Sequence, residues 1–209
     1  MLKKHLKQDI QQSILAKKSL IKISSQINES IKILTECLKN GNKILICGNG
    51  GSAADAQHLA AEFLVRLRPN VNRKSLPVIS LALDTSTLTA CGNDYSFDKI
   101  FSRSLSALGK ENDVLISIST SGMSKNIINV IRQAKKQNIN TISFLGKKGG
   151  KAKKFSNLSL IVDSNNVARI QESHIFLGHF IFQKVEENII KIKWDLFFFA
   201  KKRQVLLML

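Results

Sequence analysis

Apolar residues follow two rhythms along this chain. From residue 3 to residue 40, Ile10, Ile14 and Leu15, then Leu20, Ile21, Ile27, Ile31, Leu34 and Leu38, recur at roughly helical spacing without a Pro or Gly among them. Asn40-Gly41 ends that pattern. It predicts a long helical arm whose stripe has to be buried somewhere, and a second subunit is a candidate cover. Beyond the arm, short apolar runs at 43–47, 78–83, 113–118, 140–145 and 158–162 alternate with helical stretches at 52–67, 97–108, 124–137 and 167–192. Strands alternating with helices predict parallel βαβ units and a sheet covered on both faces. The expected fold is therefore α/β, in three layers, with a helical arm in front. Ligands in such sheets bind beyond the carboxyl ends of the strands, so the chemistry should follow each apolar run.

The first such loop is Cys47-Gly48-Asn49-Gly50-Gly51-Ser52, leading into Ala53-Ala54-Asp55-Ala56-Gln57-His58-Leu59-Ala60-Ala61-Glu62. It reads as strand, glycine turn and helix. A helix start has unpaired N–H groups and partial positive charge, which suits an anion. Ser52 is the expected N-cap, and Asp55 stands where a capping-box acid would. His58 and Glu62, four apart, share one face of the predicted helix. Gly48-x-Gly50-x-x-Ala53 also fits the dinucleotide fingerprint, a weak signal by itself; Asp84, the candidate ribose-binding acid, lies further on than usual.

The second loop, Ser119-Thr120-Ser121-Gly122-Met123-Ser124, offers consecutive hydroxyls and a glycine at a helix start, as a phosphate monoester would require. A plain Ser/Thr turn is the alternative. The late helical stretch carries Gln171 and His179, two turns apart on one side and embedded among Ile175, Phe176, Leu177 and Phe180. Polar groups there are costly to bury without partners. With His58 and Glu62 they form a set that suits Zn²⁺, although amide ligation is unusual. His174 and His5 read as structural or surface residues. Cys91-Gly92-Asn93-Asp94-Tyr95 is either a turn or a binder of sugar hydroxyls.

Composition narrows the classes. The 209 residues suffice for one real core, and 44% hydrophobic content argues against disorder. No apolar run approaches the ~20 residues of a membrane span, and the basic N-terminus lacks the apolar core of a signal peptide. Cys37, Cys47 and Cys91 form no CxxC pair, which points to a reducing cytoplasm. The net charge of +17 comes largely from 25 scattered lysines, with few and unclustered arginines, so nucleic acid is not an expected partner.

Taken together, the segments CGNGGSAADAQHLAAEF at 47–63, GNDYSFDKIFSR at 92–103, ISTSGMSKN at 118–126 and ARIQESHIFLGH at 168–179 resemble the sugar isomerase (SIS) domain family. The resemblance is to its branch acting on sedoheptulose 7-phosphate, and it covers roughly 40–190. It implies a five-stranded parallel sheet flanked by helices, a homotetramer with sites between subunits, and conversion of that ketose to D-glycero-D-manno-heptose 7-phosphate, toward lipopolysaccharide core heptose. By motif, Glu62 and His179 match the catalytic pair. Asn49, Gly50, Gly51, Ser52, Glu62, Asn93, Asp94, Ser119, Thr120, Ser121, Ser124 and Gln171 match substrate-binding positions. His58, Glu62, Gln171 and His179 match a zinc site, implying one Zn²⁺ per subunit. The implied organisation is an arm at 1–41, an SIS domain at 42–192 and a tail at 193–209. Met123 departs from the pattern, where Asn is expected. A non-catalytic branch, associated with the DnaA initiator, shares the GxSAAxAQH and ARIQE pieces; Glu62 and His179 favour the enzyme. The tail, aromatic, then basic, then apolar, fits an oligomer contact or an unselected extension better than a membrane surface.

Overall fold

Each of the five apolar runs forms a strand of one parallel sheet in the computed structural model: β1 (Ile44–Gly48), β2 (Val78–Ser80), β3 (Val114–Ser119), β4 (Asn140–Leu145) and β5 (Leu158–Ile161). The structure describes the backbone of residues 1–206 and the side chains of residues 1–190. Strand order is β2-β1-β3-β4-β5, with Ile46 opposite both Ser80 and Ile116, and Ile142 opposite both Ile116 and Leu158. The order reverses between β1 and β3. At such a switch point the loops leaving the two strands diverge and open a crevice. The glycine loop follows β1 and the hydroxyl loop follows β3, so both expected loops border it.

Alternation of side chains sorts the core into two layers. Ile44, Ile46, Ile116 and Phe144 face helices α2 (Ser24–Lys39), α3 (Gly51–Leu64) and α7 (Val167–Leu206), packing on Leu34, Leu59, Phe63 and Phe182. Leu45, Cys47, Leu115 and Leu145 face α4 (Thr85–Asp94), α5 (Ile100–Leu108) and α6 (Lys125–Lys136), packing on Phe101, Leu105 and Ile131. β1, β3 and, past Asn140, β4 are buried from both sides, which is why they read as mainly apolar runs broken only by small hydroxyl residues.

Three local expectations need correction. The arm is two helices, α1 (Leu2–Ser19) and α2, broken by a 3₁₀ turn at Leu20–Ile23. The break lets α2 lay Ile27, Ile31 and Leu34 into the core, while Ile10, Ile14 and Leu15 of α1 stay 41–57% exposed. Residues 85–94 form a helix, although Thr, Ser and Gly make it a poor one by propensity. Asp84 supplies what the composition lacks: its carboxylate accepts from Ser86 N and Thr87 N as a side-chain N-cap. That is a structural job, and it removes the reason to cast Asp84 as a ribose ligand. Finally, α7 runs past residue 192 to Leu206, so the tail continues that helix; its side chains and residues 207–209 lie outside the described residues. No described helix is long and apolar enough to cross a membrane.

Candidate active site

The glycine loop turns more tightly than its sequence suggests. Gly50, at φ +56°, is the N-cap of α3, and the helix begins at Gly51. Ala53 N and Ala54 N both reach Gly50 O. Ser52 therefore lies inside the first turn, 3% exposed, and does not cap the helix as expected. Asp55 closes no capping box either. Its Oδ2 is buried without a partner, and burial raises the carboxyl above its usual range, with the His58 charge opposing.

The hydroxyl loop is held from within and from behind. Gly122 N donates to Ser119 Oγ at 3.0 Å and Met123 N to Ser121 Oγ at 3.1 Å. The hydroxyl protons of Ser119 and Ser121 stay available to a ligand, and Ser124 heads α6 with no side-chain cap bond. Gly122, at φ +62°, lies against the Gly149–Gly150 turn, and Ala152 N donates to Gly122 O at 2.9 Å. Met123 is 49% exposed at the loop's rim.

Asn126, which sequence reasoning did not single out as a site residue, ties the two loops together. Its Nδ2 donates to Asn49 Oδ1 at 2.8 Å, and Asn49 Nδ2 donates back to Asn126 Oδ1 at 2.9 Å. Asn126 Oδ1 also accepts from Ile127 N. A polar side chain only 2% exposed near the start of α6 has to be satisfied, and this pair does it across the switch point.

On the other side, α3 and α7 bring three donors together. His58 Nε2 lies 2.8 Å from His179 Nε2 and 3.2 Å from Glu62 Oε1, and His179 Nε2 lies 3.9 Å from the same oxygen. Burial lowers the His179 pKa; the neighbouring His58 adds to this and Glu62 opposes it. Gln171 comes from α7 to lie over Gly51: a Cβ added there would sit 2.5 Å from Gln171 Nε2. Asn93 and Asp94 end α4, exposed, with Asn93 Nδ2 donating to Asp94 Oδ1 at 2.9 Å. They are thus the end of a helix, not a free turn, and among the described residues no side-chain hydrogen bond joins them to the rest of the site.

The donor set fits a zinc ion. Ligands at about 2.0–2.1 Å in a tetrahedron stand about 3.3–3.4 Å apart, and the separations of 2.8, 3.2 and 3.9 Å straddle that spacing.

Residues 11–146 match the profile of the SIS domain. The chain belongs to the SIS domain family. Within it, the chain is 46% identical to the phosphoheptose isomerase of Clostridium acetobutylicum, over 93% of its own length and 100% of that protein's. It is 48% identical to the phosphoheptose isomerase of Helicobacter pylori, covering 82% of this chain and 88% of the other. Among solved structures, the SIS fold here superposes on the phosphoheptose isomerases of Neisseria gonorrhoeae (TM-score 0.84, 39% identity, 90% of this chain, 100% of that chain) and Francisella tularensis (TM-score 0.85, 34% identity, 90% and 99%). The five-stranded parallel sheet flanked by helices is the SIS architecture anticipated from the motifs, and the enzyme branch of the family, not the non-catalytic one, is where the chain falls.

Proposed function

We infer that the protein interconverts sedoheptulose 7-phosphate and D-glycero-D-manno-heptose 7-phosphate, a ketose–aldose isomerisation on the way to lipopolysaccharide heptose. The observation that carries the reading is the 3.9 Å approach of Glu62 Oε1 and His179 Nε2, contributed by separate helices beside the crevice.

Isomerisation moves one proton from C1 to C2 and another between the two oxygens. It needs a base at carbon and a proton carrier at oxygen. In this reading Glu62 removes the C1 proton, giving an enediol, and returns it at C2. His179 passes protons between O1 and O2. Burial lowers its pKa and so favours the neutral ring, which can accept a proton and give it back. The phosphate docks on Ser119, Thr120, Ser121 and Ser124, with Asn49, Gly50, Gly51 and Ser52 lining the adjoining turn. Fixing the far end of a long sugar orients the end that reacts. Asn93, Asp94 and Gln171 are assigned to the sugar hydroxyls.

His58, Glu62, Gln171 and His179 are the residues that would hold one Zn²⁺ per subunit. Bound there, the ion would polarise the carbonyl and order the sugar oxygens. Neither Glu62 nor His179 Nε2 can be a tight ligand and exchange a proton at once, so the share of each in holding the metal during turnover has to be weak. Homotetramer assembly is proposed as well: α1 exposes Leu6, Ile10 and Leu15, at 58%, 51% and 57%, an apolar set that a second copy of the chain would cover. Three free, buried cysteines are consistent with a cytoplasmic location.

The test is direct. Purified protein given sedoheptulose 7-phosphate should produce an aldose of the same mass, seen by NMR. In deuterated water, deuterium should enter C2 of the product to the extent that Glu62 exchanges its proton with solvent. Absence of any aldose product at high enzyme concentration, with and without added Zn²⁺, would remove the reading.

A further inference from the structure

The catalytic pair depends on two helices keeping one spacing, and a buried ion cluster sits where that spacing is set. α3 ends at Leu64, two residues beyond Glu62, so its last carbonyls lack helical partners. Arg73 takes them: Nη2 donates to Glu62 O at 2.8 Å and Nη1 to Phe63 O at 2.9 Å. The same guanidinium donates through Nε to Glu186 Oε1 at 2.5 Å. Glu186 lies on α7, two turns beyond His179 and on nearly the same face. Glu186 is fully buried and the Arg73 side chain is 5% exposed. Arg68 Nε holds the second carboxylate oxygen at 2.7 Å.

Above the ion pair the helices meet closely. Phe63 stacks on Phe182 with centroids 4.1 Å apart, and a Cβ on Gly178 would lie 2.5 Å from Leu59 Cδ1, so α7 approaches as near as a glycine permits. The chain of contacts therefore runs from the Glu62 backbone through Arg73 and Glu186 to the helix that carries His179. An ordinary surface ion pair would be worth little. This one is buried, bidentate on two backbone carbonyls, and attached to the residues that react.

We propose that Arg73, acting through Glu186, is a positioning residue for the Glu62–His179 pair, fixing the α3–α7 spacing on which proton transfer depends. The proposal rests on the isomerase reading of that pair. Among the described residues the Arg68 side chain hydrogen-bonds to Glu186 and Glu187 and to no α3 carbonyl, so it belongs to the same cluster without the positioning role.

The experiment compares Arg73→Lys, Glu186→Asp and Arg68→Lys. Lysine at 73 keeps the charge opposite Glu186 but loses the fork that grips two carbonyls. A displacement of the order of 1 Å at the pair costs up to about a hundredfold. Arg73→Lys should lower kcat by ~10–100-fold with KM within about twofold, because the hydroxyl loop that docks the phosphate lies between β3 and α6, and the α3 residues beside it are at the far end of that helix from Arg73. Affinity for Zn²⁺ alone, read by competition with a chromophoric chelator, should fall by ~10-fold or more. Arg68→Lys should leave kcat and Zn²⁺ affinity unchanged. Thermal unfolding of each variant separates loss of fold from loss of alignment. Glu186→Asp, which withdraws the carboxylate by one methylene, should reproduce the split and serves if Arg73→Lys does not fold.

Wild-type kcat and Zn²⁺ affinity in a folded Arg73→Lys or Glu186→Asp would overturn the proposal. Equal losses in Arg68→Lys would overturn it too, leaving a cluster that only stabilises. Wild-type protein inactive on the sugar but binding Zn²⁺ would end the isomerase reading, and the Zn²⁺ series would then decide the positioning claim. Neither turnover nor Zn²⁺ binding in the wild type would end both.

Discussion

His174 should make the protein acid-labile well above the pH at which its carboxylates titrate. The ring is fully buried between α7 and the sheet, near Phe144, and neither nitrogen has a hydrogen-bond partner of normal geometry. Burial pushes its pKa down from 6.5 to about 4, against a weak opposing pull from the Leu145 backbone. The unfolded chain therefore takes up a proton as pH falls through 6.5, and the native protein does not until about 4. Stability is full above the unfolded value and drains away between those limits. The slope is about 1.4 kcal/mol per pH unit and the whole loss about 3 kcal/mol. Going from pH 7.5 to pH 5 should cost the wild type about 2 kcal/mol. Glu172 and Glu187, whose pKa values are lowered, lose their stabilising effect only at lower pH. His179 adds in the same sense as His174, and Asp55, its carboxyl raised by burial, works against them at the acid end. The assay is urea unfolding at several pH values, at one protein concentration so that assembly does not shift the midpoint. His174→Phe removes the titrating ring but keeps apolar volume beside Phe144, and its stability should change much less between pH 7.5 and pH 5. An equal slope in the two proteins, or a flat wild-type profile, would refute the reasoning.

Glu62→Gln should lower kcat by ~10²–10⁴-fold while sugar binding, read by calorimetry, changes little; a fully active variant would take the base away from Glu62. Gly122→Ala should raise KM for the sugar phosphate severalfold, since φ is +62° and the new Cβ would meet Gly149 O at 2.1 Å; steady-state kinetics with unchanged KM would show that the loop does not hold phosphate. Dialysis against a chelator should abolish or strongly depress activity, and Zn²⁺ should restore it, with elemental analysis of the untreated protein giving about one metal per chain.

The strands were legible because both sheet faces are covered, so each is mainly apolar, interrupted by small polar residues such as Ser117, Thr141, Ser143 and Ser159. The loops were legible because parallel sheets put their chemistry after strands, and these two end in glycines and hydroxyls. His58 and Glu62 could be paired from their spacing on one helix. What joins them to His179 could not: that is a tertiary contact between α3 and α7, and only the motif resemblance suggested it. Helix α4 was hidden because Thr85–Asp94 has little intrinsic helical preference, and the Asp84 cap is visible as a cap only once the helix is known. Ser52 misled for the opposite reason. It is the better N-cap by residue type, but Gly50 can adopt the positive φ that starts the helix two residues earlier. Arg73 and Asn126 left almost no trace, since a buried polar residue looks like a solvated one until its partners are located.

The reciprocal amide bond between Asn49 and Asn126 has a consequence for how a ligand is received. The two segments are latched to one another before anything arrives, so docking a phosphate there should demand little rearrangement of the loops, and inorganic phosphate alone should bind without a slow conformational step.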